Sequence, residues 1–407
     1  MLNLMDRPNA HSGIDSAGGE CPACGGSALS DFHRVTRAPT NSCILLKTRE
    51  EALAYPTGDI VLAHCADCGF VFNRAFDLRK TEYSGRYEET QSFSPTFNRF
   101  HRVLAERLVA KYDLKEGTAL EIGCGKGEFL ALLAEIGAMK GVGVDPGVHV
   151  ERIAPEVANK LSFIPAMFAP DHIDRDFDLV ACKMTIEHIP DPLDFVATIR
   201  KGIGARKDCV VFFQAPESMR ILSRHAFEDV YYEHCSYFTP GSLARLFRRA
   251  HFDVIDIQLE YDDQYLAIEA RPAPEETTPS LALEDDLDRI AAEVDSFARG
   301  CAKAIGAWRE RLDEAAAKGE KVALWGSGSK AVSFLNAVDS GARVQYVTDI
   351  NPHRHGHFLP ATGQEIVPPA ALREIRPDLV IVMNRIYKDE IRRDLDAMGL
   401  APEVAAL

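Results

Sequence analysis

Two turns constrain this chain more than anything else in it. Each follows a short apolar strand and opens a helix: Ala119-Leu-Glu-Ile122 runs into Gly123-Cys-Gly-Lys-Gly127, and Val322-Ala-Leu-Trp325 runs into Gly326-Ser-Gly-Ser-Lys-Ala331. An aspartate then closes the next strand, Asp145 after Gly141-Val-Gly-Val144 and Asp349 after Val344-Gln-Tyr-Val347. Glycine turns in that setting belong to strand-helix-strand crossovers. Asp178-Leu-Val-Ala-Cys182, Cys209-Val-Val-Phe-Phe213 and Leu379-Val-Ile-Val382 read as further buried strands. The pattern predicts an α/β protein with two similarly built halves, each a parallel sheet covered on both faces.

The length of 407 residues leaves room for more than two crossover units, since roughly 150 residues make a domain. Residues 1–20 read as a frayed tail and 21–82 as a small metal-held module. A Rossmann-like core spans 83–272, and 273–407 holds a linker around Pro272-Ala-Pro274, a long helix over Leu281–Lys318 and a second Rossmann-like domain. Hydrophobic residues at 46% and charged ones at 26% fit a globular chain. The net charge of -15, without a basic patch, argues against nucleic acid or an anionic membrane as partner. No apolar run reaches the roughly 20 residues of a membrane span, and Met1 to Glu20 lacks the regions of a secretory signal. The expected compartment is cytoplasmic, where cysteines stay reduced.

Cys21-Pro-Ala-Cys24-Gly and Cys65-Ala-Asp-Cys68-Gly are paired C-x-x-C-G turns. Thiolates in such turns bind zinc tetrahedrally, and four sulfurs leave no open position, so the expected metal is structural zinc with no part in the chemistry. Two disulfides or four reduced, unligated cysteines are the competing readings.

At the first turn, Glu121 precedes a G-x-G-x-G loop, the helix N-terminus faces any ligand there, and Asp145 can accept from ribose hydroxyls. This arrangement suits a nucleoside bearing an amino acid better than one bearing pyrophosphate. It resembles the S-adenosylmethionine site of class I methyltransferases, a likeness that continues in Phe177-Asp-Leu-Val180 and Thr185-Ile-Glu-His-Ile-Pro-Asp-Pro192. The resemblance implies cofactor contacts from Glu121, Gly123, Gly125, Gly127 and Asp145. A turn without ligand, or a nicotinamide cofactor, stays open at this point.

Asp229-Val-Tyr-Tyr-Glu-His-Cys-Ser-Tyr-Phe-Thr239 is dense in groups that move or orient protons. The order of elements, cysteine quartet, methyltransferase-like core, Tyr-x-Glu-His and second glycine-turn domain, resembles the sugar C-methyltransferases, which act on nucleotide-linked keto-deoxysugars. The resemblance implies His234 as base, with Tyr231 and Glu233 around the reacting carbon, and Tyr83 and Tyr87 touching cofactor or substrate. It also implies that the C-terminal domain helps hold a nucleotide-sugar. Lys330, at the helix start, is placed to meet a phosphate, with a solvated lysine as the equal alternative. In isolation the second turn reads as a dinucleotide site. His353, His355 and His357 read as a solvated polar loop. Gln214-Ala-Pro-Glu217 and Tyr261-Asp-Asp-Gln-Tyr265 fit the family less well and are candidates for the pocket wall. The expected function is S-adenosylmethionine-dependent C-methylation beside a carbonyl, by a monomer or weak homo-oligomer. The alternatives are an O- or N-methyltransferase of the same build and a noncatalytic nucleotide-binding protein.

Overall fold

The computed structural model describes residues 19–173, 175–273, 277–338 and 343–407. Residues 1–18 of the tail expected over 1–20, and residues 274–276 of the linker, lie outside them. In the N-terminal module, β1 (Leu29–Pro39), β2 (Thr57–Cys65) and β3 (Val71–Asn73) form an antiparallel meander whose two ends bring the C-x-x-C turns together.

The central domain begins with the helix Pro95–Tyr112. Ser94 caps it by accepting from Phe97 N, Pro95 supplies a preset first turn, and Asp113 ends it at φ 52°. Its strands are β4 (Thr118–Ile122), β5 (Lys140–Val144), β6 (Leu161–Ile164), β7 (Leu179–Lys183) and β8 (Val210–Pro216), followed by the short β9 (Ser236–Tyr237), β10 (Phe252–Glu260) and β11 (Tyr265–Pro272). β9 leaves this domain and pairs with β3, so the module expected over 21–82 takes its fourth strand from the central domain. The other seven form one sheet in the order β10-β11-β8-β7-β4-β5-β6. The expectation of a purely parallel sheet needs correcting here, because β11 runs antiparallel to both β8 and β10. A two-stranded connection through Tyr261 to Gln264 allows that reversal, whereas a parallel neighbour would need a crossover helix.

Alternation along the strands gives the sheet two apolar faces. Leu120, Ile122, Val180 and Cys182 face one core. Ala119, Leu179 and Ala181 face the other, under the helices that carry Leu104, Leu108, Phe129 and Leu133.

The C-terminal half starts with a helix at Leu287–Lys318 and not at Leu281. The residues before it are tied to the helix Pro240–Arg249: Glu284 is bridged to Arg248 and Asp286 to Arg245, while Asp286 Oδ2 accepts from Gly241 N and Thr239 Oγ1. Once under way, the helix buries Ile290, Val294, Phe297 and Cys301 at helical spacing and stops at Gly319, φ 72°. β12 (Val322–Trp325), β13 (Tyr346–Thr348), β14 (Ile366–Val367), β15 (Leu379–Val382) and β16 (Glu403–Ala406) then build an all-parallel sheet ordered β14-β13-β12-β15-β16. One hydrophobic core joins Ile60 and Leu62 of the N-terminal module, Phe297 of the long helix and Leu324 and Phe334 of this last domain. In both parallel arrays strand order reverses at the strand feeding a glycine turn, β4 and β12, which is where α/β sheets open a crevice.

Candidate functional site

Both crevices open into one cavity of about 510 Å³ between the central and C-terminal domains. Its wall includes Gly123, Gly125, Asp145, Tyr83, Tyr87, Tyr231, His234 and Lys330, so most of the residues singled out in the sequence meet in one place.

In the first turn Gly123, Gly125 and Gly127 all have positive φ, 69°, 53° and 76°. A Cβ on Gly123 would stand 2.0 Å from Thr185 Oγ1, so a side chain there would strike the neighbouring loop. Asp145 is turned toward this loop: Oδ2 accepts from Gly125 N at 3.0 Å and Oδ1 from Gly147 N at 2.7 Å. Each oxygen keeps a further lone pair for a ligand hydroxyl. Lys126, inside the loop, points away and donates to Tyr87 O and Gly147 O, which fixes the tyrosine segment over the turn. The residues therefore fit an adenosyl ligand: a bare backbone cradle with a carboxylate at the ribose end.

His234 lies at the other side of the cavity, its ring 4.2 Å from that of Tyr231 and 4.7 Å, edge-on, from that of His188. Burial and the neighbouring His188 push its pKa well below the usual imidazole range, so it is neutral and able to accept a proton. Tyr231, by contrast, is driven far above the usual phenol range by burial and keeps its proton as a donor. Glu233 is 1% exposed and does not reach the cavity wall. It accepts from Ser42 N at 3.1 Å, Asn41 Nδ2 at 3.0 Å and the Ser42 hydroxyl, and so clamps the segment that carries His234 to the N-terminal module.

His188 was missed as a site residue, although the segment that carries it was singled out. Its Nδ1 lies 3.0 Å from both Tyr83 Oη and Glu233 O, and burial lowers its pKa to about 4. Glu187, Oε2 without a partner, is raised to about 8 by burial. The signal available in the sequence was the Glu-His pair itself, polar residues just beyond the buried strand Leu179–Lys183.

Lys330 reaches the cavity, but its Nζ is 2.8 Å from Asp229 Oδ2, which also receives Arg220 Nη2 at 2.6 Å. The expected pocket-wall stretches contribute through Pro216, Gln264 and Tyr265. Of the three histidines, His353 is exposed beside Phe93, and His355 Nε2 lies 2.8 Å from Asp349 O.

Away from the cavity, Cys21, Cys24, Cys65 and Cys68 place their sulfurs within 4.8 Å of one another, with Cys21 to Cys68 and Cys24 to Cys65 both at 3.7 Å. A tetrahedral ion with bonds of ~2.3 Å needs edges of ~3.8 Å, so the quartet fits a four-sulfur metal centre.

Comparison with known proteins agrees with this geometry. Residues 96–257 match a methyltransferase domain, and residues 270–400 match a C-methyltransferase C-terminal domain. C-methyltransferase NovU of Streptomyces niveus is 26% identical over 325 residues, covering 75% of this chain and 76% of that protein. An uncharacterised methyltransferase of Alkaliphilus oremlandii is 25% identical over 119 residues, 29% of this chain and 55% of the relative. Among solved structures, the Burkholderia thailandensis 1,6-didemethyltoxoflavin-N1-methyltransferase, with S-adenosylhomocysteine bound, is 21% identical. It covers 44% of this chain and 81% of its own, with a TM-score of 0.35.

Proposed function

Given that the chain is an S-adenosylmethionine-dependent methyltransferase of the C-methyltransferase family, we propose that it methylates the carbon next to the carbonyl of a nucleotide-linked keto-deoxysugar. One observation carries this reading: a neutral, buried histidine, flanked by phenols and a second imidazole, faces the glycine turn across a single cavity. An oxygen or nitrogen nucleophile has a lone pair already, whereas carbon needs a base first.

The cofactor, when bound, supplies a methyl made electrophilic by its sulfonium. The chain's own residues do the rest. His234 removes the proton next to the substrate carbonyl. The protonated Tyr231 hydroxyl, and Tyr83 held by His188, donate to the developing enolate oxygen. Gly123 to Gly127 and Asp145 fix the donor so that nucleophile and methyl approach in line. The nucleotide of the substrate would take the C-terminal side of the cavity, whose wall includes Lys330 and Arg220, both bound to Asp229. Zinc in the cysteine quartet would hold the N-terminal module, and through Asn41 and Ser42 it would hold Glu233 and the segment next to it.

Incubation of the enzyme with nucleotide-linked keto-deoxysugars in deuterated water tests this. The expected result is deuterium uptake at the carbon beside the carbonyl, lost in His234→Ala, together with methyl transfer to that carbon. Transfer to oxygen or nitrogen, without exchange, would overturn the carbon chemistry.

A further inference from the structure

Glu187, His188 and His234 meet on the wall of the cavity, and the reading above uses only His234 in the chemistry, with His188 as a brace for Tyr83. A ring nitrogen of each histidine and a carboxylate oxygen of Glu187 all lie within 4.8 Å of one another. β7 ends at Lys183, and the single turn Ile186–His188 that follows it presents Glu187 and His188 side by side. His234 comes from the loop before β9, which is tied to that turn at two points. His188 Nδ1 lies 3.0 Å from Glu233 O, and Ser236 Oγ donates to Ile189 O at 2.7 Å.

Each of the three suits a metal ion for a separate reason. Glu187 is 2% exposed, its Oε2 has no partner, and it stands in no ion pair among the described residues; the ammonium of Lys183, which acts on it, is bound to His101. A buried acceptor left open costs free energy that a bound cation would recover. At His188 the carbonyl of Glu233 can only accept, so Nδ1 carries the proton and Nε2 keeps the lone pair. Metal-bound histidines are oriented in the same way, by a carbonyl or carboxylate on the far nitrogen. His234 is neutral, and among the described residues no hydrogen bond engages its ring nitrogens. Zinc bonds of ~2.0–2.2 Å hold neighbouring ligands ~3.4 Å apart, so small side-chain rotations close the trio on an ion. The cysteine quartet fills a tetrahedron, whereas three ligands on a cavity wall leave a position open.

We propose that Glu187, His188 and His234 form a second metal site, which takes a divalent ion of the zinc class in exchange with the acceptor and switches the enzyme off by occupying the His234 lone pair. Two nitrogens and one carboxylate oxygen select borderline ions such as zinc, cobalt and nickel over magnesium and calcium, which take oxygen ligands. An ion held by three such ligands exchanges more readily than the zinc of the quartet, which four thiolates enclose. The inhibition rests on His234 as the base; the binding of the ion does not. In the sequence the trio is invisible, because Thr185-Ile-Glu-His-Ile189 has no further ligand at metal-site spacing and His234 comes near it only in the fold.

Cobalt(II) is the probe, added to the full chain after the quartet has been filled with zinc. One further ion per chain is expected, with the visible bands of nitrogen- and oxygen-ligated cobalt and no thiolate charge-transfer band. Glu187→Gln and His188→Ala are each expected to weaken that ion by more than about tenfold, while one retained zinc and a single cooperative melt show that they are folded. In assays of methyl transfer, zinc is expected to raise the apparent KM for the keto-sugar and to leave that for S-adenosylmethionine unchanged. No second ion at millimolar cobalt, a thiolate band, or undiminished affinity in both variants would overturn the proposal alone. A rate increase with zinc would overturn the inhibition, since the ion would then assist the chemistry. Full turnover with the ion held by these residues would also overturn it, and deuterium exchange then says where the fault lies. Exchange lost in His234→Ala leaves the base in place and faults only the inhibition; exchange retained faults the reading of His234 as well.

Discussion

The two glycine turns are braced in the same way and used differently. In the first, Asp145 accepts from Gly125 N and Gly147 N; in the second, Asp349 accepts from Ser327 N and Asn351 N, with Ser327 Oγ added. In both, an aspartate at the end of the second strand locks the backbone of the turn and of the residue two places beyond itself. From there the turns diverge. Around the first, three glycines at positive φ withhold side chains from the turn, Lys126 is bound to Tyr87 O and Gly147 O and lies 3.4 Å from Glu89 Oε2, and Glu121 Oε2 is buried without a partner. Around the second, the polar groups are already taken: the Ser329 hydroxyl lies 2.7 Å from Ser42 Oγ, Asn351 donates to Glu88, Arg354 donates to Ser327 O at 3.0 Å and to Glu88 O, and Lys330 is paired with Asp229. The same local chemistry thus makes a ligand cradle where side chains are withheld and a scaffold where they are supplied.

If this comparison is right, binding of the donor and activation of the acceptor separate by mutation. His234→Ala gives the largest effect: turnover falls by about 10²–10⁴, the range for a lost general base, while calorimetry shows S-adenosylhomocysteine affinity unchanged. A rate within a factor of a few of wild type would remove His234 from the chemistry. Next in size is the pair of aspartates. Asp145→Ala is expected to weaken S-adenosylhomocysteine by about 1–3 kcal/mol, whereas Asp349→Ala leaves that affinity unchanged and raises KM for the acceptor. Equal losses of donor affinity in the two variants would break the distinction between cradle and scaffold.

How much of this could be read from the sequence follows from the same difference. The first turn, its aspartate and the quartet were legible because each is local: a few residues at fixed spacing force the backbone and place the ligand groups. Glycines at positive φ and paired C-x-x-C turns leave few alternatives. What was not legible is long-range. Glu233 was expected at the reacting carbon, yet it binds Asn41 and Ser42, residues 191 and 192 positions away in the chain. Lys330 was read as meeting a phosphate or staying solvated, and instead it shares Asp229, from another domain, with Arg220. The antiparallel β10-β11 hairpin was missed because Tyr261, Asp262 and Asp263 all adopt positive φ, a turn that lacks the glycines that usually announce one.

The quartet tests the scaffold at a distance. Elemental analysis is expected to find one zinc per chain, and Cys24→Ser to lose it and to lower the melting temperature by several degrees. Because Ser42 bridges the N-terminal module to both Glu233 and Ser329, metal loss is expected to lower kcat through the second turn while leaving donor affinity intact. A metal-free variant with full activity would show that the module does not hold the segment that carries His234.

The smallest effect is on pH, and its sign follows from two neighbours that oppose each other. His188 is held at about 4, below the ordinary 6.5, so as pH falls from about 6.5 the unfolded chain takes up a proton before the folded one does, and stability is lost down to about 4. Glu187 is held at about 8, above the ordinary 4.5, so as pH rises from about 4.5 the unfolded carboxyl ionises first, and stability is lost up to about 8. Between about 6.5 and 8 only the glutamate of this pair still acts. Melting temperatures of the ligand-free protein are therefore expected to fall by a few degrees from pH 6.5 to pH 8, and Glu187→Gln is expected to reduce that fall. An unchanged slope in the variant would mean that Glu187 is ionised in the folded enzyme, with its charge answered by a cation. Lys183, whose ammonium already acts on it, would be that cation.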